Sequence, residues 1–444
     1  MSPLVSIRPK DRDAIIQSLR AGVVPRTGLQ YVQVGRKNEI EALIKDLDRV
    51  MDGGAGIRFV IGEYGSGKTF LLYLMRSIAL EKKLVSAHAD LSPDRRLYAT
   101  DGRARSLYAE LMRNLSTRAK PDGGALPVVV ERFVSSALAE ATAQGCAPAD
   151  VIQGRLAQLS EMVGGFDFAN VIGAYWRGYD TGQDQLKQDA VRWLRGEFTA
   201  KTDARAALGV RSIVDDANAY DHLKLFARFV RLAGFDGFLV CLDEMVNLYK
   251  LTNSMARVNN YEQLLRMVND SLQGIAVGLG FLLGGTPEFL TDTRRGLYSY
   301  QALQSRLAEN TFTANGLVDY SGPVIRLSNL TQEDFYVLLT KLRDVYESGD
   351  GGRPLVSDDG VQQFMSYCSG RIGDAYFRTP RTTIREFMNL LAVLDQNPDK
   401  SLTDIIGAIS LTEEVNPDLQ PLQDDEEGQG QPASDDGELR AFKL

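Results

Sequence analysis

The chain has 444 residues, of which 44% are hydrophobic and 24% are charged. That length exceeds the size at which a chain usually folds around a single hydrophobic core, and it predicts two or three globular domains. The longest apolar runs, at 238–242 and 275–283, fall far short of the roughly 20 residues that span a bilayer. No apolar stretch follows the charges of MSPLVSIRPKDR, so a secretory signal is not indicated. We therefore expect a soluble cytoplasmic protein with no membrane partner.

Negative charge is concentrated at the C-terminal end. Residues 413–444 hold ten acidic and two basic side chains, which accounts for the whole net charge of −8. The segment is also rich in Gly, Gln and Pro, so we interpret it as an acidic disordered tail. The rest of the chain has 48 basic and 48 acidic residues and is neutral. A neutral body is compatible with a local basic face, so nucleic acid is not excluded as a partner.

Cysteine and histidine are too sparse to build a metal centre. The three cysteines, Cys146, Cys241 and Cys368, have neither metal-ligand nor redox-motif spacing. The two histidines, His88 and His222, cannot form a His-based site. We expect buried structural thiols and structural histidines.

The first predicted strand leads into a glycine-rich loop. After an N-terminal helical segment, 1–34, the apolar run IRFVIGE at 57–63 predicts a buried strand, and FLLYLMRSIALEKK predicts the next helix. Between them, GEYGSGKT fits the phosphate-loop pattern G-x-x-x-x-G-K-[ST], whose glycines let backbone N–H groups surround an anion. Lys68 should contact the β- and γ-phosphates of ATP, and Thr69 should ligate Mg²⁺. The alternative is a Gly-rich turn that fits the pattern by chance. The predicted nucleotide-binding residues here are Gly62, Glu63, Tyr64, Gly65, Ser66, Gly67, Lys68, Thr69 and Phe70.

The second predicted strand, KLVSAHADL at 83–91, is followed by a long helical interval. About 145 residues separate it from the third strand, although one crossover helix would suffice. Helix-like pieces in this interval include SLYAELMRNLSTRA, PVVVERFVSSALAEATAQ and QLKQDAVRWLRGEF. We interpret residues from about 101 to 225 as a large helical insertion.

The third predicted strand, GFLVCLDE at 237–244, ends in two carboxylates. Ligands of open α/β sheets bind at the carboxyl ends of the strands, where Asp243 and Glu244 would lie. Asp243 would hold Mg²⁺ through water, and Glu244 would orient or deprotonate the attacking water. Alone, such a pair is more often a solvated turn. Together with the phosphate loop, it indicates a catalytic site.

The fourth predicted strand, VGLGFLLGGT at 277–286, ends in a threonine. Thr286 is the polar residue beside the expected γ-phosphate position, where it would position the lytic water. An ordinary strand-terminating threonine is the competing interpretation. Arg294, Arg295 and Arg306 follow, and cations stabilise the charge of a transferred phosphoryl group. Most arginines are surface residues, and the sequence leaves open which of these three serves the phosphates.

The fifth predicted strand, PVIRLSNL at 323–330, is followed by helices. Thr331 and Asp334 mark a helix start, and the helical runs DDGVQQFMSYC and RTTIREFMNLLAVLD come next. They predict a C-terminal helical lid, 321–412, after an ATPase core, 35–320. Three arginines near the start of the last lid helix are further candidate phosphate ligands: Arg378, Arg381 and Arg385.

Together these motifs resemble those of the AAA+ ATPases, particularly the initiator-like and clamp-loader-like proteins. The matching pieces are VGRKNEI at 34–40, GEYGSGKT, LVCLDE, GGTPEF, QALQSRL and TPRTTIREF. The resemblance implies an α/β P-loop NTPase fold: a five-stranded parallel sheet with a large helical insertion and a C-terminal helical lid. It implies that Gly35 and Arg36 approach the adenine and that Thr286 is a first sensor. It further implies that Arg306 is a finger reaching a neighbouring subunit and that Arg381 is a second sensor.

A closer resemblance is to the ATP-binding proteins of bacterial BREX phage-defence systems. It covers nearly the whole chain, from RPKDRDAIIQSLRAGVVPRTGLQ through ADLSPDRRL, LDEMVNLYKL and GGTPEFLTDTRRGLYSYQALQSRL to TPRTTIREFMNLL. It implies a role in an operon that methylates host DNA and blocks phage replication, with other phage-defence proteins as partners. The helical insertion departs most from the general AAA+ pattern.

Three functional hypotheses fit these observations. The leading one is an ATPase that uses Mg²⁺ and ATP to remodel or load a DNA-associated defence complex. It would act as a homo-oligomer, because a finger such as Arg306 completes a site only across an interface. The second is a slow ATP-gated switch or adaptor that signals to partner proteins. The third is direct binding of double-stranded DNA, through the lid or through patches such as RVNN at 257–260 and TRRG at 293–296.

Overall fold

A computed structural model describes residues 7–310, 319–348, 355–372 and 380–408. Within these ranges five strands form one sheet, in which every neighbouring pair is parallel and the order is β2-β3-β4-β1-β5. The strands are β1 Ala55–Gly62, β2 Val85–Asp90, β3 Phe238–Asp243, β4 Leu279–Gly285 and β5 Val324–Leu327. The predicted five-stranded parallel sheet is confirmed. Each strand lies within its predicted run except β1, which begins two residues earlier.

Helices surround the sheet on both faces. Those before β2 are α1 Pro9–Arg20, α2 Leu29–Val32, α3 Lys37–Met51 and α4 Lys68–Glu81. Those between β2 and β3 are α5 Arg103–Arg113, α6 Leu126–Gln144, α7 Pro148–Ala157, α8 Gly165–Asp180, α9 Asp184–Leu194, α10 Lys201–Leu208 and α11 Ala219–Leu232. Those between β3 and β5 are α12 Val246–Tyr249, α13 Ser254–Leu272, α14 Pro287–Thr291 and α15 Gln301–Leu307, with a 3₁₀ turn at Leu297–Ser299. Those after β5 are α16 Gln332–Glu347, α17 Asp358–Ile372, α18 Pro380–Gln396 and α19 Leu402–Ile405, with a 3₁₀ turn at Ile406–Ala408.

The strands are apolar on both faces because each face packs on helices. Successive side chains of β4 illustrate this alternation. Leu282 packs with α3 and α4, whereas Phe281 and Leu283 face the helices of the long interval between β2 and β3. This burial on both sides explains why the strands read as continuous hydrophobic runs rather than as alternating patterns.

The helices between β2 and β3 share a hydrophobic core with the sheet. The ring of Phe229 lies 5.1 Å from that of Phe133 and 5.3 Å from that of Phe168, measured between centroids. Phe226, on the same helix, packs edge-on against Phe238 of β3 at 5.5 Å. The helices between β2 and β3 are therefore anchored directly on the sheet. Helix α11 runs to Leu232, past the predicted end of the insertion at about 225.

The N-terminal helices pack on the C-terminal helices. Ile15 of α1 and Val32 of α2 are buried in one cluster with Phe335, Leu339 and Phe387 of the helices after β5. Both ends of the described chain thus meet in a second hydrophobic core.

The predicted start of α16 is confirmed by a reciprocal capping box. Its Thr331 hydroxyl accepts a hydrogen bond from Asp334 N at 3.1 Å, and the Asp334 carboxylate accepts one from Thr331 N at 3.3 Å. Two donors at the helix start are satisfied in this way.

Cysteine burial agrees with the prediction at two positions of three. Cys241 and Cys368 are buried, but Cys146 is exposed, because it lies in the turn after α6 rather than in an element that packs on the core. Among the described helices, none combines the length and apolar character required to cross a bilayer. The predicted acidic tail, 413–444, lies outside the described residues.

Candidate nucleotide-binding site

The glycine-rich loop connects β1 to α4 and turns tightly through left-handed glycines. Gly65 and Gly67 have φ values of 79° and 87°, a region in which residues with a Cβ are strained. Gly62 leaves no room for a side chain, since a Cβ there would lie 2.3 Å from Ser66 Oγ. That Oγ atom is buried and has no hydrogen-bond partner within the described part of the chain. The loop is a close-fitting cradle with an unsatisfied polar group.

Lys68 begins α4 and bends back over the loop. Its Nζ donates to the carbonyl oxygens of Gly62 and Glu63, both at 2.9 Å. No side chain caps the start of α4 at Gly67. The first N–H groups of a helix lack intrahelical partners and, together with the helix dipole, favour an anion. This arrangement of ammonium and N–H groups can bind phosphate.

Thr69 and Asp243 link the loop to the carboxylate strand. The Thr69 hydroxyl donates to Asp243 Oδ2 at 2.6 Å, and the Asp243 side chain is buried, with the residue only 7% exposed. Their oxygens are hard ligands of the kind that Mg²⁺ prefers. The two predicted metal ligands therefore lie together.

Glu244 follows Asp243 in an unusual backbone conformation. Its φ is 57°, and its N–H donates to Asp243 Oδ1 at 2.9 Å. A non-glycine residue with positive φ is uncommon. This turn directs the two carboxylates differently, because Asp243 is buried against Thr69 whereas Glu244 is exposed and lines the adjoining cavity.

Thr286 lies between the loop and the carboxylates because β4 lies between β1 and β3. It is 2% exposed, lines the cavity, and its hydroxyl accepts a hydrogen bond from Phe289 N at 3.4 Å at the start of α14. Two residues earlier, a Cβ at Gly284 would lie 2.3 Å from Asp243 Oδ1. The end of β4 thus supplies a hydroxyl and also leaves space for the neighbouring carboxylate.

Arg36 contacts both the phosphate loop and the chain that follows β5. Its Nη2 donates to the carbonyl oxygens of Ser66 at 2.8 Å and Ser328 at 2.7 Å, joining the loop to the chain after β5. Burial lowers the pKa of its guanidinium, although nearby Glu39 and Asp334 oppose that shift. Arg36 lines the cavity, whereas Gly35 is not among its lining residues.

Arg381 joins three parts of the chain. From α18 it donates to Tyr64 OH of the phosphate loop at 3.2 Å and to the carbonyl oxygen of Gly22, after α1. It also lines the cavity. Arg385, one turn later, pairs instead with Glu386 at 3.0 Å, and Arg378 lies outside the described residues.

The three arginines after β4 lie away from the lining of this cavity. Arg306 donates to the Asn269 side chain and to Ala302 O, the latter at 2.9 Å. Arg295 donates to Leu251 O at 3.1 Å. Arg294 is exposed. The structure therefore does not bring these residues to the chain's own phosphate loop.

The cavity has a volume of about 780 Å³ and an apolar wall built from both ends of the chain. That size suits a nucleotide-sized ligand. Several residues that line it were not predicted from the sequence, including Val24, Pro25, Arg26, Tyr73 and Asp90.

Asp90 is the one of these that the sequence could have indicated. It ends β2 and is the register partner of Asp243 in the parallel β2–β3 pair, and parallel strands share a carboxyl edge. Burial, followed by the charge of Asp243, raises the pKa of Asp90, while Arg95 and Arg26 oppose the shift. Arg26 has no comparable signal, because it lies in an N-terminal stretch to which no motif assigns a role, and it reaches the cavity only through tertiary packing.

Comparison with known proteins is consistent with this geometry. The family described as BREX system ATP-binding protein BrxC/D matches residues 7–410, so the resemblance to the BREX ATP-binding proteins is confirmed. Among curated proteins, no match to the chain was found. The chain belongs to the BREX system ATP-binding protein BrxC/D family.

Proposed function

We propose that the protein is a Mg²⁺-dependent ATPase that remodels or loads a DNA-associated complex of a BREX phage-defence system. The observation that carries the proposal is the 2.6 Å hydrogen bond between Thr69 and Asp243. It joins a phosphate-binding loop to a buried carboxylate at one edge of the sheet, which is where phosphoryl-transfer enzymes of this kind assemble their site. The strand order, with β4 between the loop strand and the carboxylate strand, supports an AAA+-like core.

The residues present fit Mg²⁺ and the phosphates of ATP. The unsatisfied Ser66 hydroxyl and the tight fit at Gly62 favour an anion in the loop. Nowhere in the described ranges do three or more His, Cys, Asp or Glu side chains cluster as a metal cage. Mg²⁺ commonly uses one or two carboxylates together with substrate phosphates, so Thr69 and Asp243 would hold it. When bound, the ion would neutralise charge on the phosphate oxygens.

The remaining roles follow from position. Lys68 would exchange its loop carbonyl contacts for phosphate oxygens, since its Nζ already lies over the loop. Glu244, exposed in the cavity, would orient or deprotonate the attacking water, and the Thr286 hydroxyl would position that water. Arg36 would support the loop near the adenine, with Gly35 shaping the turn. Arg381 would report the nucleotide state to the lid.

Arg306 motivates a homo-oligomer. It lies outside the lining of the chain's own cavity, which supports a role as a finger completing a neighbour's site. We further propose that other phage-defence proteins are partners, that double-stranded DNA is a candidate ligand of the complex, and that the protein acts in the cytoplasm. The division into a core at 35–320, a lid at 321–412 and an acidic tail belongs to this proposal.

ATP turnover measured with and without duplex DNA tests the enzyme. The wild type should hydrolyse ATP, while Glu244→Gln should bind ATP but turn it over at least tenfold more slowly. Turnover per subunit should rise with protein concentration, and Arg306→Ala should remove that rise. A wild type without turnover, or a Glu244→Gln variant as fast as the wild type, would contradict the proposal.

A second candidate is an ATP-gated switch, and the contacts of Arg381 favour it. One side chain connects the phosphate loop, the segment after α1 and α18 of the lid. Nucleotide binding that displaces Tyr64 would change those contacts and bias the lid. The Glu244→Gln variant separates the two functions in a phage-defence assay. A switch would remain active or become locked on, whereas a remodelling ATPase would lose protection.

A further inference from the structure

The segment between α1 and α2 has a fixed backbone beside the nucleotide cavity. At its start, Val23 N donates to Ser18 O at 2.9 Å, and the carbonyl oxygen of Gly22 accepts from Arg381. At its end, Gly28 has φ of 72°, and a Cβ there would lie 2.5 Å from Ile15 Cδ1. Residues 23–26 line the cavity between these anchors. The backbone position of Arg26 is therefore set by the fold.

Arg26 differs from the other cationic residues lining the cavity. In the described ranges these are Arg26, Arg36, Lys68 and Arg381. The last three donate hydrogen bonds to loop or segment atoms, which hold them in place. Arg26 forms no hydrogen bond or ion pair with any described residue, and it is exposed. Its guanidinium is thus available to a ligand.

The charge of Arg26 acts at the carboxylate edge of the cavity. Arg26 lines the same cavity as Tyr73 and Asp90, and its positive charge lowers the pKa of Tyr73 against the larger, opposite effect of burial. Tyr73 lies one helical turn after Thr69 on α4, and Asp90 lies beside Asp243 in the sheet. Thr69 and Asp243 form the proposed metal site. Arg26 therefore lies on the side of the cavity where the terminal phosphates would meet the metal ligands.

We infer that Arg26 binds the terminal phosphates of a nucleoside triphosphate held in the same chain. This inference rests on the proposed function of the cavity. Guanidinium matches phosphate oxygens with two parallel N–H donors, so an unengaged arginine near a phosphate loop is chemically suited to this contact. Because residues 21–28 continue into α1 and α2, the contact would connect the γ-phosphate to the core shared by the N-terminal helices and the lid.

Binding of ATP and of ADP to the full chain, each with Mg²⁺, tests the contact by calorimetry. Arg26→Ala should weaken ATP binding roughly tenfold or more, which is typical of losing a hydrogen bond to a charged group, and should weaken ADP binding much less. Arg26→Gln keeps much of the side-chain volume and should give the same selective loss. The matched control is Arg8→Ala, which removes a positive charge from an exposed residue outside the cavity and should leave both affinities unchanged.

Three results would overturn the inference. One is wild-type ATP affinity in either neutral variant, which would mean that Arg26 only balances Asp90 and Asp243. Another is an equal loss for ATP, ADP and AMP. The third is a loss of ATP affinity that is explained by partial unfolding. It would be seen as an equally lowered melting temperature of Arg26→Ala and Arg26→Gln in the absence of nucleotide. This test is independent of the test for hydrolysis. If the wild type binds ATP without turning it over, the comparison of ATP and ADP affinities still decides the role of Arg26.

Discussion

The hydroxyl of Thr69 donates a 2.6 Å hydrogen bond to the carboxylate of Asp243, across the position of β4 in the sheet. Thr69 is held by the first turn of α4, and Asp243 by the end of β3. Between them, β4 has Gly284 near its end, where a Cβ would lie 2.3 Å from Asp243 Oδ1. Three separate elements thus fix one pair of oxygens, which gives the site a geometry that substitutions can test.

The first prediction concerns the Thr69 hydroxyl. Thr69→Val keeps the shape but removes the oxygen, so we expect ATP turnover to fall at least tenfold and the Mg²⁺ requirement to rise. Thr69→Ser should retain most activity. Turnover measured over a Mg²⁺ series checks both variants. Thr142→Val is the control, because among the described residues that exposed hydroxyl bonds only to Leu138 O in α6. Equal Mg²⁺ dependence in Thr69→Val and wild type would contradict the proposed ligand.

The second prediction uses Gly284 to move the carboxylate indirectly. In Gly284→Ala the new Cβ would meet Asp243 Oδ1 at 2.3 Å, so the Asp243 side chain must shift and its Oδ2 contact with Thr69 is disturbed. We expect the Mg²⁺ requirement to rise and turnover to fall by roughly tenfold or more, with ATP binding in EDTA retained because the phosphate loop is untouched. Titrations with and without EDTA make this measurement.

The control for that change is Gly154→Ala in α7. Gly154 is exposed, has an ordinary helical φ, and a Cβ there would meet nothing within 4 Å. Alanine should stabilise the helix by about 0.5–1 kcal/mol and leave turnover unchanged. If Gly284→Ala showed wild-type metal dependence, the close packing of β4 on Asp243 would not matter for the site.

The sequence predicted the chemistry-bearing ends of the strands better than their surroundings. GEYGSGKT and LVCLDE are short, local patterns whose geometry depends on neighbouring residues, and the loop and the end of β3 fit them. The strand order was not readable, because pairing depends on contacts between distant segments. For the same reason Arg26 was missed, since it reaches the cavity by tertiary packing. Asp90 was overlooked although it ends the predicted run of β2 at the edge that Asp243 shares. The exposure of Cys146 was missed because burial was inferred from residue type alone.

The third prediction concerns a buried ion pair behind the site. Arg58 of β1 and Asp46 of α3 are each 6% exposed, with Arg58 Nη2 lying 3.1 Å from Asp46 Oδ1. Arg58 also donates to Gly322 O, so the pair joins α3, β1 and the chain before β5. Arg58→Met would leave Asp46 buried and poorly paired, and we expect a loss of about 3 kcal/mol in unfolding free energy. Denaturant unfolding measures this loss.

The double variant Arg58→Met with Asp46→Leu should recover most of that stability, since apolar residues of similar volume can replace a buried pair. Arg49→Met is the matched control. Arg49 also contacts Asp46, but its side chain is 55% exposed, so its loss should cost less than about 1 kcal/mol. An Arg58→Met variant no less stable than Arg49→Met would show that the pair contributes little.

The fourth prediction is a pH dependence that originates at His88. Its ring is half-buried on β2, packs edge-on against Tyr73 at 5.7 Å, and has an Nδ1 with no hydrogen-bond partner in the described chain. Burial, and then the charges of Arg76 and Arg26, lower the pKa of His88 to about 3. The unfolded chain takes up this proton near pH 6.5, but the folded protein does not. The free energy of unfolding therefore contains the full contribution of the neutral His88 ring above pH 6.5. That contribution is lost progressively as the pH falls from 6.5 toward 3, because only the unfolded chain binds the proton in this range.

His88→Gln should remove this contribution. Between pH 6.5 and 5, the wild type should lose about 1 kcal/mol more stability than the variant, a figure reduced from the limiting slope because the ring is only partly buried. Denaturant unfolding at several pH values measures the difference, with pH 8 as the reference where neither state binds the proton. In both proteins the unfolding free energy still falls with decreasing pH, because His222 is also buried and has a lowered pKa. Parallel stability curves from pH 6.5 to 5 would mean that the folded state protonates His88 as readily as the unfolded chain.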